Sequence, residues 1–135
     1  MSTVRCTRRK LFKAGAAALT VPYFVPTRAF GANDRVQVGI IGLGGRAKTI
    51  AESCKNIADM DVVAVCDCFK PDMDKFIEIV GKDQKWAAYE DFREMIERES
   101  LDGVMVETTT HARAWIVINA MQAGMDTYIE KPMCL

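Results

Sequence analysis

The sequence predicts an α/β fold in which a doubly wound parallel sheet carries helices on both of its faces. Short, continuous apolar strands alternate with amphipathic helices between residues 36 and 129. This alternation is typical of a parallel sheet that is covered on both sides. The first strand also runs into closely spaced glycines, and the second strand ends in Asp67. Because crossovers between parallel strands are right-handed, we expect the strand order 3-2-1-4-5 in one domain over residues 33–135.

The first strand and helix lie on either side of the glycines. Val36–Ile41 is a run dominated by β-forming residues. Apolar side chains then recur at i, i+3, i+4 and i+7, which is one face of a helix; they are Ala47, Ile50, Ala51 and Cys54. The local structure is therefore strand, tight turn, helix.

The turn predicts a phosphate site. Gly42-x-Gly44-x-x-Ala47 fits the dinucleotide-binding fingerprint with alanine in the third glycine's place. Unpaired N–H groups and a partial positive charge at the helix N-terminus would hold a diphosphate, and the glycines let it come close. A glycine-rich turn between any strand and helix can look similar, so the motif alone also fits a plain turn.

Asp67 predicts which dinucleotide is bound. It ends the second strand, Asp61–Asp67, at the distance from the glycines where a carboxylate accepts hydrogen bonds from ribose hydroxyls. A solvated aspartate at a strand end is the alternative, which the order of the surrounding features disfavours. A carboxylate there would repel a 2′-phosphate, so NAD is favoured. Arg46 could offset part of that repulsion, which leaves NADP as an alternative.

The next helix begins at Pro71, a residue suited to a first helical position. Gly81 is expected to end this helix as a C-terminal glycine. Its predicted inner face consists of Met73, Phe76, Ile77 and Val80.

The second half of the domain repeats the pattern. Trp86–Tyr89 is expected to form an edge strand, and Asp91 to cap a helix with inner residues Phe92, Met95 and Ile96. Val104–Val106 and Thr127–Ile129 are the last two strands. The helix between them is expected to end at Gly124 and to have its inner face at Ala114, Val117, Ile118 and Met121.

Residues 1–32 are expected to lie outside the fold. They carry six Lys or Arg and no acidic residue, with Arg8-Arg9 shortly before the apolar stretch 14–25. This order is typical of a twin-arginine export signal and linker, which predicts a periplasmic or otherwise exported protein. The small residues Ala29 and Gly31 offer two cleavage positions. A basic amphipathic arm is the alternative.

Charge and cysteine content exclude several classes. Residues 33–135 hold 12 Lys and Arg against 18 Asp and Glu, a net charge of −6. This acidic part has no basic patch suited to nucleic acid, and we expect no stable membrane insertion. Cys66-x-Cys68 is not a metal-ligand spacing and the chain has one histidine, so no metal site is predicted. Cys54 and Cys66 are expected in the core.

Two stretches follow strands that end at the ligand-binding edge of such a sheet. In the first, the hydroxyls of Thr108, Thr109 and Thr110 and the next helix's N-terminus could hold phosphate or ribose oxygens. Thr110 could equally be a simple cap, and His111 by itself favours a structural position in the first helical turn. In the second, Glu130-Lys131-Pro132, a lysine could place its ammonium on a substrate hydroxyl or a developing alkoxide. A solvated Glu-Lys pair is the plainer alternative.

These residues together resemble the Gfo/Idh/MocA oxidoreductase family, and above all its exported, twin-arginine members. The resemblance covers residues 36–135 and lies in six stretches: Gly42–Ala47, Cys66-Asp67, Tyr89–Phe92, Thr108–Trp115, Ala123-Gly124 and Glu130–Pro132. Three departures concern cofactor contact. Alanine replaces the third glycine, Thr108-Thr109 stands for the usual Thr-Pro turn, and Arg113 occupies the place of a common histidine.

The resemblance implies an NAD(P)-dependent Rossmann domain of an enzyme acting on sugars, sugar derivatives or cyclitols. It implies that Lys131 is the catalytic residue, pointing towards the nicotinamide and the reacting hydroxyl. The implied cofactor-binding residues are Gly42, Gly44, Gly45, Arg46, Ala47, Asp67, Thr108, Thr109, Thr110, His111, Glu130, Lys131 and Pro132.

In this family a second α/β domain, which supplies the substrate pocket and most oligomer contacts, follows the Glu-Lys-Pro strand. Leu135 stands just beyond that strand. We therefore expect the sequence to hold the dinucleotide domain without the substrate domain and to be inactive by itself, and the full-length form to be a homo-oligomer. Two alternatives remain: an NAD-dependent glycosidase of the same family, and a non-catalytic dinucleotide-binding module.

Overall fold

A computed structural model describes residues 35–133. The export signal and linker predicted for residues 1–32 lie outside the described residues. Within residues 35–133 the chain forms nine elements in strict strand–helix alternation: β1 (Val36–Ile41), α1 (Gly45–Cys54), β2 (Met60–Cys66), α2 (Lys70–Ile79), β3 (Ala87–Tyr89), α3 (Phe92–Arg98), β4 (Gly103–Val106), α4 (Thr110–Gln122) and β5 (Asp126–Ile129).

The five strands form one parallel sheet in the order β3-β2-β1-β4-β5. The predicted order is confirmed. Since each connection crosses over through a helix, all five strands present their C-terminal ends at the same edge of the sheet.

Two apolar layers hold the helices on the sheet. One layer joins Ile40 and Val65 to α1 and α2 through residues such as Ala47 and Phe76. The other joins the next residue of each strand, Ile41 and Cys66, to α3 and α4. Because successive strand residues point to opposite faces, a continuous apolar run is what a sheet buried on both sides needs. Cys54 and Cys66 are buried, as predicted.

Gly81 directly follows Val80, the C-cap of α2, so its predicted position at the end of this helix is confirmed. Its φ is not positive, so it does not end the helix in the left-handed conformation. Its amide N donates to the carbonyl O of Ile77 at 2.9 Å, and a Cβ there would lie 2.9 Å from Cε3 of Trp86. A glycine is needed at this position because the indole packs against the backbone. Gly124, in contrast, has φ +85° and ends α4 as predicted.

Val117 packs against the core as predicted, but the inner face of α4 is otherwise not the predicted one. Its buried residues are Arg113, Ile116 and Ala120, whereas Ile118 and Met121 are more than half exposed. Apolar side chains occur around most of this helix, so periodicity did not distinguish its faces. The burial of Arg113 at the carboxyl edge of the sheet defines the inner face. Within residues 35–133, no helix is both long enough and apolar enough to cross a membrane.

Candidate functional site

A cleft of about 520 Å³ opens at the carboxyl edge of the sheet. Its floor is formed by the residues that follow β1, β2 and β4, and its outer wall by the start of α3 and one side of α4. Ligands of open α/β sheets bind at this edge, where the strand order changes direction. The cleft is therefore the candidate site.

Gly42 makes the first turn of the floor and has φ +88°. A Cβ there would lie 2.8 Å from the amide N of Thr108 and 2.9 Å from its Cα. Both the left-handed backbone and the close approach of the β4–α4 loop exclude a side chain. This glycine serves the fold of the site.

Gly44 and Gly45 serve a different purpose. A Cβ on either would meet no heavy atom of the described residues within 4 Å. Gly44 is the N-cap of α1 in an extended conformation, no described side chain caps this helix, and its first turn holds no acidic residue. Open space therefore faces the unpaired N–H groups of a helix N-terminus, the arrangement that accepts a phosphate group.

Asp67 follows β2 on the other side of the turn. Its Oδ2 accepts a hydrogen bond from the amide N of Leu43 at 2.7 Å, and its Oδ1 accepts one from the amide N of Phe69 at 2.9 Å. The carboxylate is thus fixed against the glycine turn. A carboxylate has about four lone-pair sites, so capacity remains to accept from ribose hydroxyls.

Arg46 lies in the first turn of α1, where the helix dipole disfavours a cation. Its Nε lies 2.7 Å from Oε1 of Glu130, beyond β5, and this pairing holds the pKa of Glu130 below its ordinary value. β5 and Asp67's strand β2 lie on opposite sides of β1. The guanidinium is therefore held away from Asp67, and the contact argues against its offsetting the repulsion of a 2′-phosphate.

Arg113 fixes the segment after β5. The side chain is 5% exposed, and its Nη1 donates to the carbonyl O atoms of Glu130 at 2.8 Å and Pro132 at 2.6 Å. Its Nη2 donates to the carbonyl O of Thr108. One planar guanidinium thus joins the β4–α4 loop to the segment that carries the exposed Lys131. In the sequence this residue stood out only as a departure from the family pattern.

The threonines take separate positions. Thr109, not Thr110, is the N-cap of α4, and no described side chain forms a capping hydrogen bond there. Oγ1 of Thr109 instead lies 3.0 Å from Nδ1 of His111. Oγ1 of Thr108 is buried and has no hydrogen-bond partner among residues 35–133. The hydrogen-bonding capacity of that hydroxyl is therefore unused by the described residues.

The structure brings six predicted site residues to the cleft wall: Gly42, Gly44, Asp67, Thr108, Thr109 and His111. The others lie outside it. Gly45 and Arg46 face the neighbouring surface of the helix N-terminus, and Ala47 is fully buried beneath it. Thr110, Glu130, Lys131 and Pro132 lie around the adjacent ends of α4 and β5.

Part of the cleft wall consists of residues that were not predicted as site residues. Phe92 and Trp115 stand edge to face with their ring centroids 4.9 Å apart, and the Arg93 guanidinium carbon lies 5.6 Å from the Trp115 ring centroid. Aromatic and guanidinium groups in such a wall offer flat surfaces for a ligand ring. Glu107, on the floor, begins the stretch predicted to lie at the ligand-binding edge. It was given no role because its strand-end position alone does not indicate where its carboxyl group points.

Comparison with known proteins decides the family. The Gfo/Idh/MocA family, described as an oxidoreductase family with an NAD-binding Rossmann fold, matches residues 36–135. The chain belongs to this family. The Rossmann fold and the dinucleotide predicted from the glycine turn and Asp67 are confirmed at the level of the family.

Two curated relatives show the range within the Gfo/Idh/MocA family. A glycosyl hydrolase family 109 protein of Shewanella baltica (strain OS195) is 30% identical over 76% of this chain and 24% of its own length. A myo-inositol 2-dehydrogenase of Thermotoga maritima is 31% identical over 74% of this chain and 29% of its own length. The chain thus spans about a quarter of these relatives.

A solved structure shows the same fold. The scyllo-inositol dehydrogenase of Lactobacillus casei, with bound NAD(H) and scyllo-inositol, superimposes with a TM-score of 0.67 at 24% identity. The likeness covers 75% of this chain and 29% of that protein. At this level of identity it supports the fold alone.

Proposed function

We propose that this Gfo/Idh/MocA chain is the NAD-binding part of an oxidoreductase that transfers hydride between NAD and a sugar, sugar derivative or cyclitol. The observation that carries the proposal is the juxtaposition of the open helix N-terminus at Gly44 with the Asp67 carboxylate across one cleft. Such a pair fits a diphosphate and its adjoining ribose.

The residues present fit the cofactor. Bound NAD would supply the hydride acceptor, and the chain's own groups would hold and orient it. The N–H groups at the start of α1 would donate to the diphosphate, and Asp67 would accept from the ribose hydroxyls. Thr108 Oγ1, which is buried without a described partner, would bond a further oxygen or amide.

Lys131 is the proposed catalytic residue. Arg113 holds the carbonyl groups on both sides of it, and Arg46 holds the Glu130 side chain, so the segment that carries Lys131 is fixed beside the glycine turn. A lysine at this point would place its Nζ on the reacting hydroxyl and stabilise the negative charge that develops there. Chemistry also requires a substrate carbon held against the nicotinamide, so the chain is expected to bind dinucleotide without appreciable turnover.

The test has two stages. Calorimetric titration of the chain with NAD should show saturable binding to the wild type and none to Gly44→Val. An assay for NADH with a panel of sugars and cyclitols should then show no appreciable formation. Absence of NAD binding to the folded wild type would refute the proposal. Turnover by the chain alone would show that the active site has been misplaced.

A glycosidase that uses NAD is a second candidate, supported by the curated relative at 30% identity that is named a glycosyl hydrolase family 109 protein. It predicts that NAD stays with the protein through purification and that aryl glycosides are hydrolysed without net NADH in a form that has the substrate-binding residues. A non-catalytic module would bind NAD with neither activity in such a form.

We further propose that residues 1–32 direct export through the twin-arginine pathway and that the full-length form is a homo-oligomer. The arginine pair, the apolar stretch and the absence of acids in this segment support the first point. Fusing residues 1–32 to a reporter should send it to the periplasm, and Arg8→Lys with Arg9→Lys should retain it inside the cell. Light scattering of the full-length form tests the second point.

A further inference from the structure

Glu107 is a carboxylic residue in an unusual setting. It follows β4 on the floor of the cleft, and its amide N donates to the carbonyl O of Ile41 at 2.8 Å, immediately before the glycine turn. Both carboxyl oxygens are shut off from solvent, and neither has a hydrogen-bond partner among the described residues. A buried carboxylate without partners is costly, and the usual response is to take up a proton.

The charged groups around Glu107 come from several elements. Burial is the largest influence on its pKa and raises it, and the Glu130 carboxylate beyond β5 raises it further. Arg46 on α1 and Arg113 on α4 act in the opposite direction but more weakly. Both guanidinium groups are already engaged, Arg46 by Glu130 and Arg113 by three carbonyl groups.

The other ionisable side chains on the cleft wall are those of Cys66, Asp67, Cys68, Asp72, Glu90, Asp91, Arg93 and His111. Asp67 is fixed by two backbone N–H donors. The cleft floor therefore contains two carboxyl groups: Asp67, at the place proposed for the ribose, and Glu107, buried beside the end of β1 that precedes the glycine turn. One of them has hydrogen-bond donors that stabilise its charge, and the other has none among residues 35–133.

We propose that Glu107 is a positioning residue that must be a neutral carboxylic acid when the dinucleotide binds, so that binding is linked to uptake of a proton at Glu107. A carboxylate buried beside the glycine turn would repel the diphosphate, with little screening by water. The neutral acid removes this repulsion, and its O–H becomes a hydrogen-bond donor. The inference rests on the proposed function, since it takes the cleft to be the NAD site.

The consequence is a pH dependence of NAD affinity. Where Glu107 is ionised in the free protein, each binding event must take up one proton, and affinity falls by up to about tenfold for each unit of rising pH. Below the raised pKa of Glu107 the affinity no longer depends on this group. Glu107→Gln, which is neutral and nearly isosteric, should bind NAD with an affinity that stays flat over the same range.

The experiment is calorimetric titration of the 135-residue chain with NAD at several pH values, each in two buffers of different ionisation enthalpy. The difference in apparent enthalpy between buffers counts the protons taken up. The wild type should take up a proton that Glu107→Gln does not. Glu107→Met, which cannot titrate or form a hydrogen bond, should also take up none. Glu78→Gln, an exposed change on α2, should behave as the wild type.

If neither Glu107 variant folds, infrared difference spectra of the wild type with and without NAD still test the proposal. A protonated carboxyl band that grows on binding supports the proposal. Binding of NAD by the wild type without proton uptake, at a pH where Glu107 is ionised in the free protein, refutes it and leaves the proposed function intact. Loss of the uptake in His111→Asn but not in Glu107→Gln places the proton on the imidazole and also refutes it. No NAD binding by the folded wild type refutes both.

Discussion

Oδ2 of Asp67 accepts a hydrogen bond from the amide N of Leu43 at 2.7 Å. The acid at the end of β2 thus holds the middle of the glycine turn that follows β1. Asp67, whose spacing predicts that it binds the ribose, therefore also fixes the loop that is proposed to bind the diphosphate. Changes at Asp67 are therefore expected to affect both cofactor choice and stability.

Asp67→Ala should weaken NAD binding and relax discrimination against NADP, because both the ribose-bonding carboxylate and its repulsion of a 2′-phosphate are lost. It should also lower the free energy of unfolding by about 1–3 kcal/mol, since the N–H groups of Leu43 and Phe69 lose a charged acceptor. Titration with both cofactors and urea unfolding measure the two effects. Unchanged NAD affinity in the folded variant would remove Asp67 from the site.

Gly44→Val should abolish NAD binding and leave the fold intact. An added Cβ would meet no described atom within 4 Å, so the new side chain would enter the space proposed for the diphosphate. Gly42→Val is the matched comparison. It should lower the free energy of unfolding by about 2–4 kcal/mol because φ is +88° and the Cβ would lie 2.8 Å from Thr108. Circular dichroism and chemical unfolding distinguish the two variants. Retained NAD binding by Gly44→Val would show that the glycine turn does not bind the diphosphate.

Arg113→Met should lower the free energy of unfolding by about 2–4 kcal/mol, since three carbonyl groups lose their donor inside the protein. Hydrogen exchange of residues 129–133 should become faster than in the wild type. Arg98→Met is the control, because that side chain is exposed and its closest ion-pair distance is 3.7 Å. Equal stability of the two variants would contradict the role of Arg113 in holding the Glu130–Pro132 segment.

Asp91 should give a stability change at acid pH. The Arg93 guanidinium and the Arg93 amide N–H, which Asp91 caps, lower the pKa of this carboxyl to about 2. A lowered pKa stabilises the fold above the ordinary aspartate pKa of about 3.9 and ceases to do so as pH falls through about 2. The exposed pair limits the effect to about 1 kcal/mol or less.

Urea unfolding of the wild type and Asp91→Asn between pH 2 and 5 measures this contribution. The wild type should lose its advantage over the variant as the pH falls through this window. Glu97→Gln is the control because its side chain is exposed. A constant difference between wild type and Asp91→Asn across the window would show that Asp91 acts only as a neutral cap.

The order of the elements could be predicted because it depends on local patterns. The glycines after Val36–Ile41, the cap at Asp91 and the terminal Gly124 each occupy the position that the sequence predicts. These signals depend on residues a few positions apart, whose backbone preferences act in any context. For the same reason the site residues at strand ends could be placed at one edge of the sheet.

The contacts that complete the site could not be predicted, because they join residues far apart in sequence. Arg46 meets Glu130 across 84 positions, and Asp67 meets Leu43 across 24. Arg113 is buried and Ile118 is exposed, contrary to what hydrophobicity predicts. The Arg113 guanidinium can donate to its three carbonyl groups only when β4 and β5 lie side by side. The sequence by itself determined the fold and the nature of the cofactor. Only the tertiary structure decided which charges are paired and that Glu107 is left without a described partner, since long-range geometry sets the burial and partners of each charge.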